Sequence, residues 1–588
     1  MQQSLGFGNQ PDQALKTLRG THCEEHEMAV AQEFESRPVP PQQLQEGRQF
    51  AASYAGEHVA GTEFVIGALF VAWGVSTSDI LYGLLLGNLM AVLTWGLITA
   101  PIATDTRLTL YAYLEKIAGP GTIKLYSGIN GVLFAVLAGA MITVSASAVR
   151  VLFGIPPQVN WYPTSISFVL VAVAVGAVVV IVAAKGFKKV AHFAGICAPW
   201  MILMFVVGAL AMMPVLTQAT ANISGINSFA DFVAVADAYI WVDNGSDIGF
   251  WHVAAFAWIC NLAMHGSMGD MTLLRFAKRS SYGYFSALGM FIGHYLAWVC
   301  AGIMGAGAAL LMSSSITQLD AGAVAYQALG ATGILAVIIA GWTTSNPTIY
   351  RAGLAFQSLN SKWSLVRVTL VTGVVTTIIA CFPFVFTKLL SFVGIMGLML
   401  VPMGAVIVTE HWILPKLGMT RYWSNYRKNK TNFAAVITWL ASLVLAFFLE
   451  QSGTLHLFFL LIPIWIFATL TYLLLAGIMG ARETYQEAEP AEQAEMLRKQ
   501  QEKEFLASEV AGTKEKEQTS FSMAVRVSRL ISFASLLTCA GLAIAVYTNN
   551  NLTSFHQWMI LPTVTYFVSA TYWIINKEKQ VDAQKAAS

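Results

Sequence analysis

Charge is scarce in this sequence: 11% of its 588 residues are Asp, Glu, Lys or Arg, against 56% hydrophobic residues and a mean hydropathy of +0.60. So few charges cannot coat a soluble particle of this size, which leaves a chain that crosses the membrane many times. Neither sign dominates, and a formal net charge of +2 carries no electrostatic footprint for nucleic acid. The six cysteines, Cys23, Cys197, Cys260, Cys300, Cys381 and Cys539, are scattered, and no pair has the spacing of a disulfide framework or a zinc site. No G-x-x-x-x-G-K-[ST] phosphate loop is present and the loops are short, which argues against a primary pump. Residues 1 to about 46 lack the apolar core of a cleavable signal peptide and read as a cytoplasmic tail. His22, Cys23, Glu24 and His26 cluster there, but no second pair closes a metal site, so a solvated tail is expected.

What is present is a series of apolar segments near 47–72, 80–101, 125–153, 164–184, 193–214, 249–272, 282–312, 333–356, 366–382, 388–413, 433–449, 455–479, 527–548 and 555–575. That makes fourteen, most of them near the ~20 residues of a spanning helix. With the N-terminus inside, 34 Lys and Arg fall on the cytoplasmic side except Arg150 and Lys388, and both termini are expected in the cytoplasm of a multi-pass plasma or inner membrane protein. The implied organisation is a tail (1–46), a transport core (47–413), two further helices (433–479), a charged cytoplasmic linker (480–526), two additional helices (527–576) and a short tail (577–588). Within the linker, 482–520 is charged and helix-forming and reads as a solvated helix.

Three segments carry polar groups at membrane depth. Ala340 to Ala352, AGWTTSNPTIYRA, interrupts an apolar run with Gly341, Thr343, Thr344, Ser345, Asn346 and Pro347. Such a cluster either lines a polar cavity, where hydroxyls and bared carbonyls are hard ligands for a small cation, or forms a Pro-kinked helix whose hydroxyls satisfy its own backbone. Ser53 to Phe64 holds Glu57, His58 and Glu63 between or beside Gly56 and Gly61. Each ionisable group costs about 3 kcal/mol to place at the centre of a bilayer, so the three demand a protein or aqueous environment and a helix that breaks at the midplane. The alternative places Glu57 and His58 at the membrane boundary. Gly249 to Asp270 ends in Asn261, His265, Gly266, Ser267, Gly269 and Asp270, either a second break or the inner end of a span beside Arg275. Disturbed helices at spans one and six fit two five-span halves in which one and six, and three and eight, are equivalent.

With these residues in hand, the chain resembles the nucleobase:cation symporter family over roughly 47 to 479. LYGLLLGNLMAV (81–92) looks like the family's second span, and GFKKVAHFAGICAPW (186–200) is similar to its basic loop before span five. DMTLLRFAKRSS (270–281) resembles its D-F-T-R-F/Y-A-K signature, AGWTTSNPTIY (340–350) its W-[ST]-T-N motif, and 389–414 its tenth span. The resemblance implies an all-α, leucine-transporter-like fold with a 5+5 inverted repeat. It implies a sodium site at the carbonyls of Ala55, His58 and Ala340 and the hydroxyls of Thr343 and Thr344. It also implies that substrate positions of spans one, three, six and eight fall at Val59, Leu137, Met141, Asn261 and Ile349, with Asn346 beside the last. Family members hold a flat heterocycle between tryptophans; here Phe134 and Trp258 lie about a turn from those positions, so the aromatic sandwich is not reproduced. Glu57, His58, Asn261 and His265 form a polar group without a family counterpart.

The expected function is therefore secondary active transport, not enzyme catalysis: cation-coupled uptake of a small polar solute, a nucleobase or related heterocycle such as a purine, cytosine, hydantoin, allantoin or a vitamin. Sodium or a proton is the coupling ion, with no organic cofactor and no nucleic-acid partner. The alternatives are a proton-coupled carrier of another solute such as an amino acid, with Glu57 or Glu63 carrying the proton, and a transporter-derived sensor that signals through 482–520.

Overall fold

The computed structural model describes residues 37–184, 187–220, 225–360, 362–512 and 521–587. The His22–Cys23–Glu24–His26 cluster lies outside the described residues. Within them the chain is helical apart from one isolated bridge between Gln45 and Ala277, and the five described cysteines are free.

Ten helices are long and apolar enough to cross a membrane among the described residues. The other four apolar segments of the sequence also coincide with helices, each shorter, interrupted or more polar. In chain order the elements used below are α1 (Gly47–Glu57), α2 (Gly61–Val71), α3 (Thr77–Thr106), α4 (Leu110–Leu152), α5 (Ile166–Ala183) and α6 (Phe187–Ala219). They continue with α7 (Phe229–Tyr239), α8 (Phe250–Ile259), α9 (Leu262–His265), α10 (Ser280–Met312), α11 (Ala321–Leu329), α12 (Ala331–Gln357) and α13 (Leu365–Ala380). Last come α14 (Val385–Lys416), α15 (Phe433–Gln451), α16 (Leu461–Met479), α17 (Ala488–Gly512), α18 (Met523–Asn549) and α19 (Leu552–Val581).

The first segment breaks where the glycines indicated. α1 opens with a capping box in which Glu46 and Gln49 satisfy each other's backbone, and it stops at Glu57. His58 to Ala60 are non-helical before α2 resumes at Gly61. Gly61 is required there because a Cβ would sit 3.0 Å from the Gly341 nitrogen and 3.1 Å from its Cα. The first span therefore touches the backbone of α12 directly. The sixth segment is also interrupted: α8 ends at Ile259, α9 is a single turn, and Met268 adopts a left-handed φ of 65° before Asp270.

The 340–352 stretch is a continuous helix, as in the second of its two readings, while Thr344 and Thr348 also line a cavity, as in the first. α12 runs unbroken through Pro347. Thr343 and Thr344 donate to the Ala340 carbonyl at 3.1 and 2.8 Å, and Thr348 donates to the Thr344 carbonyl at 2.7 Å, so the hydroxyls serve the helix's own backbone.

Packing obeys an exchange by five spans. α2 of the first span lies on α10 of the seventh, and α8 of the sixth lies on α3 of the second; α4 and α12, the third and eighth, pack on each other and map onto themselves. Arg150, one of two basic residues expected outside, closes a buried fork onto Asp320 at 2.6 and 2.7 Å and so ties the end of α4 to the start of α11.

Outside this core, α15 and α16 pack on each other and on α14, while α18 and α19 pair and lie against α6. Trp200 donates to Thr563 at 3.3 Å and Tyr566 to the Ile196 carbonyl at 2.8 Å. The linker helix α17 corrects one expectation. It is not solvated on every face: Glu502 pairs with the buried Arg107, Glu495 with Arg421 at 2.7 Å, Glu509 with Lys278 at 2.6 Å and Lys499 with Asp105 at 2.6 Å. Its acidic residues, spaced along one side, match cations on three loops that the charge pattern assigns to the cytoplasm.

Candidate transport site

Where α1, α2, α4, α9, α10 and α12 converge lies a cavity of about 70 Å³. Its polar wall includes Glu57, His58, Glu63, Asn261, His294 and Thr344; Leu137, Met141 and Leu389 supply apolar surface. A second cavity of about 220 Å³ adjoins it through Glu57 and is lined by Ser53, Asp270, Arg275, Tyr350 and Arg351.

Between the two sits an ion cluster. Arg351 of α12 makes a two-pronged contact to Glu57 and lies 3.3 Å from Asp270. Asp270 also accepts from Trp95 at 2.7 Å and Tyr54 at 3.1 Å, so its second oxygen is held by the second and first spans. Spans one, two, six and eight are thus joined by one carboxylate–guanidinium network, the arrangement that low-dielectric surroundings demand of buried charge. Arg351, counted among the cytoplasmic-side basic residues by the charge pattern, lies inside α12 with a side chain 14% exposed.

Glu63 occupies the far side of the smaller cavity. It accepts from the Trp298 indole and from Thr62 at 3.5 Å, and its carboxylate lies 3.8 Å from His294 Nε2. His58 presses into α10, where Gly289 leaves room: a Cβ there would come within 2.7 Å of the His58 ring. The His58 and His294 rings stand 5.3 Å apart, and Asn261 Nδ2 reaches His294 Nε2 at 3.3 Å. His294 itself lies in a π-helical stretch, Leu288–Leu296, an irregularity common at functional sites.

Of the substrate residues expected from sequence, Glu57, His58, Leu137, Met141 and Asn261 line this cavity. The others do not. Val59, Phe134 and Ile349 are buried in apolar packing, because the break turns Val59 away and the helical phase of α4 and α12 turns the other two into the core. Trp258 donates to Thr94 at 3.1 Å and, with His265, lines a separate apolar pocket against α16. His265 is fixed there by the Trp258 carbonyl at 2.9 Å and by the Trp95 ring. Asn346 turns back onto the Trp342 carbonyl at 2.7 Å. Sequence reasoning missed His294, Trp298 and Thr348. The signal for His294 was available: an imidazole inside an apolar span, flanked by Gly289 and Gly293.

Of the oxygens expected to hold a cation, Thr344 lines the cavity, Thr343 lies beside it in α12, and Ala340 offers its carbonyl to both hydroxyls. In the first span, backbone hydrogen bonds use the Tyr54 and Ala60 carbonyls; among the described residues none is made to the carbonyls of Ala55 or His58, and the latter lies against Gly293 of α10.

No family model and no curated protein matches the sequence. Solved structures do match. Mhp1, a nucleobase-cation-symport-1 family transporter, in a closed conformation with bromovinylhydantoin bound, aligns over 75% of this chain and 95% of its own with a TM-score of 0.56 and 14% identity. The chain has the leucine-transporter fold. The inward-facing form of Mhp1 aligns over 78% and 96% with a TM-score of 0.57 and 12% identity. A substrate-bound, outward-open sodium-coupled sialic acid symporter aligns over 75% and 90% with a TM-score of 0.53 and 15% identity.

Proposed function

We propose that the protein is a secondary active symporter, which carries a small polar solute through the 70 Å³ cavity with sodium bound between α1 and α12. What supports the reading is the contact of the broken first span with α12 at Gly61 and Gly341, beside the helix that carries Thr343 and Thr344. An ion held by both elements favours the conformation in which the solute pocket is assembled, and the linkage is reciprocal: sodium and solute raise each other's affinity by one factor. A nucleobase or related heterocycle fits the resemblance of the motifs, and a multi-pass membrane location with both termini cytoplasmic fits the charge pattern.

The test is uptake into proteoliposomes of a panel of nucleobases, hydantoins, allantoin and vitamins under an inward sodium gradient. Accumulation above equilibrium that collapses with the gradient is the expected result; its absence with every solute and both gradients overturns the reading. A second reading, proton coupling, is favoured by one observation: Glu63 is buried without a lysine or arginine partner among the described residues. Uptake that ignores sodium and follows a proton gradient decides for it.

A further inference from the structure

We propose that Glu63 recognises a positive charge on the transported solute, so that the cargo is a small organic cation of the ammonium, amidinium or guanidinium class. The inference rests on the transport reading of the cavity and departs from the motif resemblance on the solute, which is charged and not a neutral heterocycle.

Charge balance comes first. Arg351 contacts Glu57 and Asp270 but not Glu63. Glu63 lies across the cavity, a carboxylate that is 3% exposed and held by neutral donors, the Trp298 indole and the Thr62 hydroxyl. The imidazole of His294 lies 3.8 Å away. A carboxylate in that position keeps its charge only when something positive shares the site.

Hydrogen-bond polarity gives the second, independent argument. Tyr54 offers His58 Nδ1 a carbonyl at 3.0 Å, which can only accept, so the Nδ1 proton is already used. Thr344 and Thr348 direct their protons to backbone carbonyls and present only lone pairs elsewhere. Asn261 meets His294 Nε2 through Nδ2 at 3.3 Å and keeps its carbonyl oxygen and a second N–H for the cavity. The wall of the cavity is thus richer in acceptors, the Glu63 carboxylate and the Thr344 and Thr348 oxygens among them, than in free donors. His294 Nδ1 is buried with no partner among the described residues. A donor-rich cation that bears at most one acceptor is the complement of this surface. A neutral pyrimidinedione, with as many acceptors as donors, is not.

The experiment uses the full-length protein in nanodiscs at fixed, saturating sodium and compares three isosteric pairs: guanidinium and urea, methylguanidinium and methylurea, acetamidinium and acetamide. Each pair keeps shape and changes charge. Thermal-shift titration should give at least one cation an affinity about tenfold or more above its neutral partner, the scale of one charge-assisted hydrogen bond. Glu63→Gln should abolish that preference, and Glu63→Asp, which keeps the charge, should retain it if the Gln variant fails to fold. Equal responses to cation and neutral partner in all three pairs, no response included, overturn the proposal, as does a cation preference that survives Glu63→Gln. A separate sodium titration of the same protein without solute, read as a thermal shift, separates the two ideas. If that shift is present while the cations do nothing, only the substrate class is wrong; if it too is missing and no gradient drives uptake, the transport reading fails.

Discussion

Thr344 presents an oxygen to the cavity while its proton lies 2.8 Å from the Ala340 carbonyl. If that oxygen ligates sodium, Thr344→Ala should weaken sodium binding by about ten- to a hundredfold, the ~1.5–3 kcal/mol of a hydrogen bond to a charged group, whereas Thr344→Ser should be nearly silent. Calorimetric sodium titration of both variants checks this. Asn261→Ala should lower solute affinity without lowering expression, because the side chain holds His294 and lines the cavity but supports no helix end; solute titration on purified variant protein reads it out. Arg351→Ala is expected to be worse than either for stability. It leaves Glu57 and Asp270 buried without their cation, a loss of about 3–5 kcal/mol in comparable pairs, and adding Glu57→Gln should recover part of it in thermal unfolding. How far these residues could be read in advance depended on what each one needed. Glu57, His58 and Asn261 announced themselves, since polar groups in apolar runs are costly wherever the chain takes them. Trp258 and His265 carried the same signal, and helical phase turned them toward α16 instead. Phase after a break is set by tertiary contacts, and no local pattern encodes it.

At the scale of the element, the broken first span and the unbroken eighth show where sequence reasoning separates. Gly56 and Gly61 bracket a real interruption because the chain there must meet the bare backbone at Gly341. Thr343, Thr344 and Pro347 look equally disruptive on paper, yet hydroxyl-to-carbonyl bonds keep α12 continuous. The linker helix was legible as a helix, and its docking was not, because its partners lie on three distant loops. Burial opposes the charge on Glu495, but Arg421, then Lys499 and Lys116, outweigh it and hold the carboxyl below its ordinary range. A depressed carboxyl contributes stability above its unfolded pKa of about 4.3 and loses it as pH falls through the folded value. Docking of α17 should therefore be intact at neutral pH and loosen in acid, and it should weaken in concentrated salt. Hydrogen exchange across 488–512 would register both effects, and Glu495→Gln should loosen the helix at neutral pH and reduce its acid response, leaving the part owed to Glu502, Glu509 and Asp105.

For the molecule as a whole, the span pattern predicts that 215–248 and 482–520 lie on opposite sides of the membrane. Cysteine labelling from each side checks it, with 215–248 expected outside; equal reactivity from one side would sink the topology. Apolar periodicity, basic loops and two interrupted helices were enough to expect the inverted repeat, since those signals are carried by composition along the chain. The placement of the last two helices was not, because nothing in their apolar faces names a partner. They lie on α6, with Tyr566 on the Ile196 carbonyl and Trp200 on Thr563. That placement changes what the fifth span meets. The hairpin covers a flank of α6 that would otherwise face lipid, and its own outer row, Leu530, Leu537, Leu561 and Val568, takes over that boundary at 67 to 74% exposure. Lipid on that side of the molecule therefore touches the appended pair and not the helix it shields.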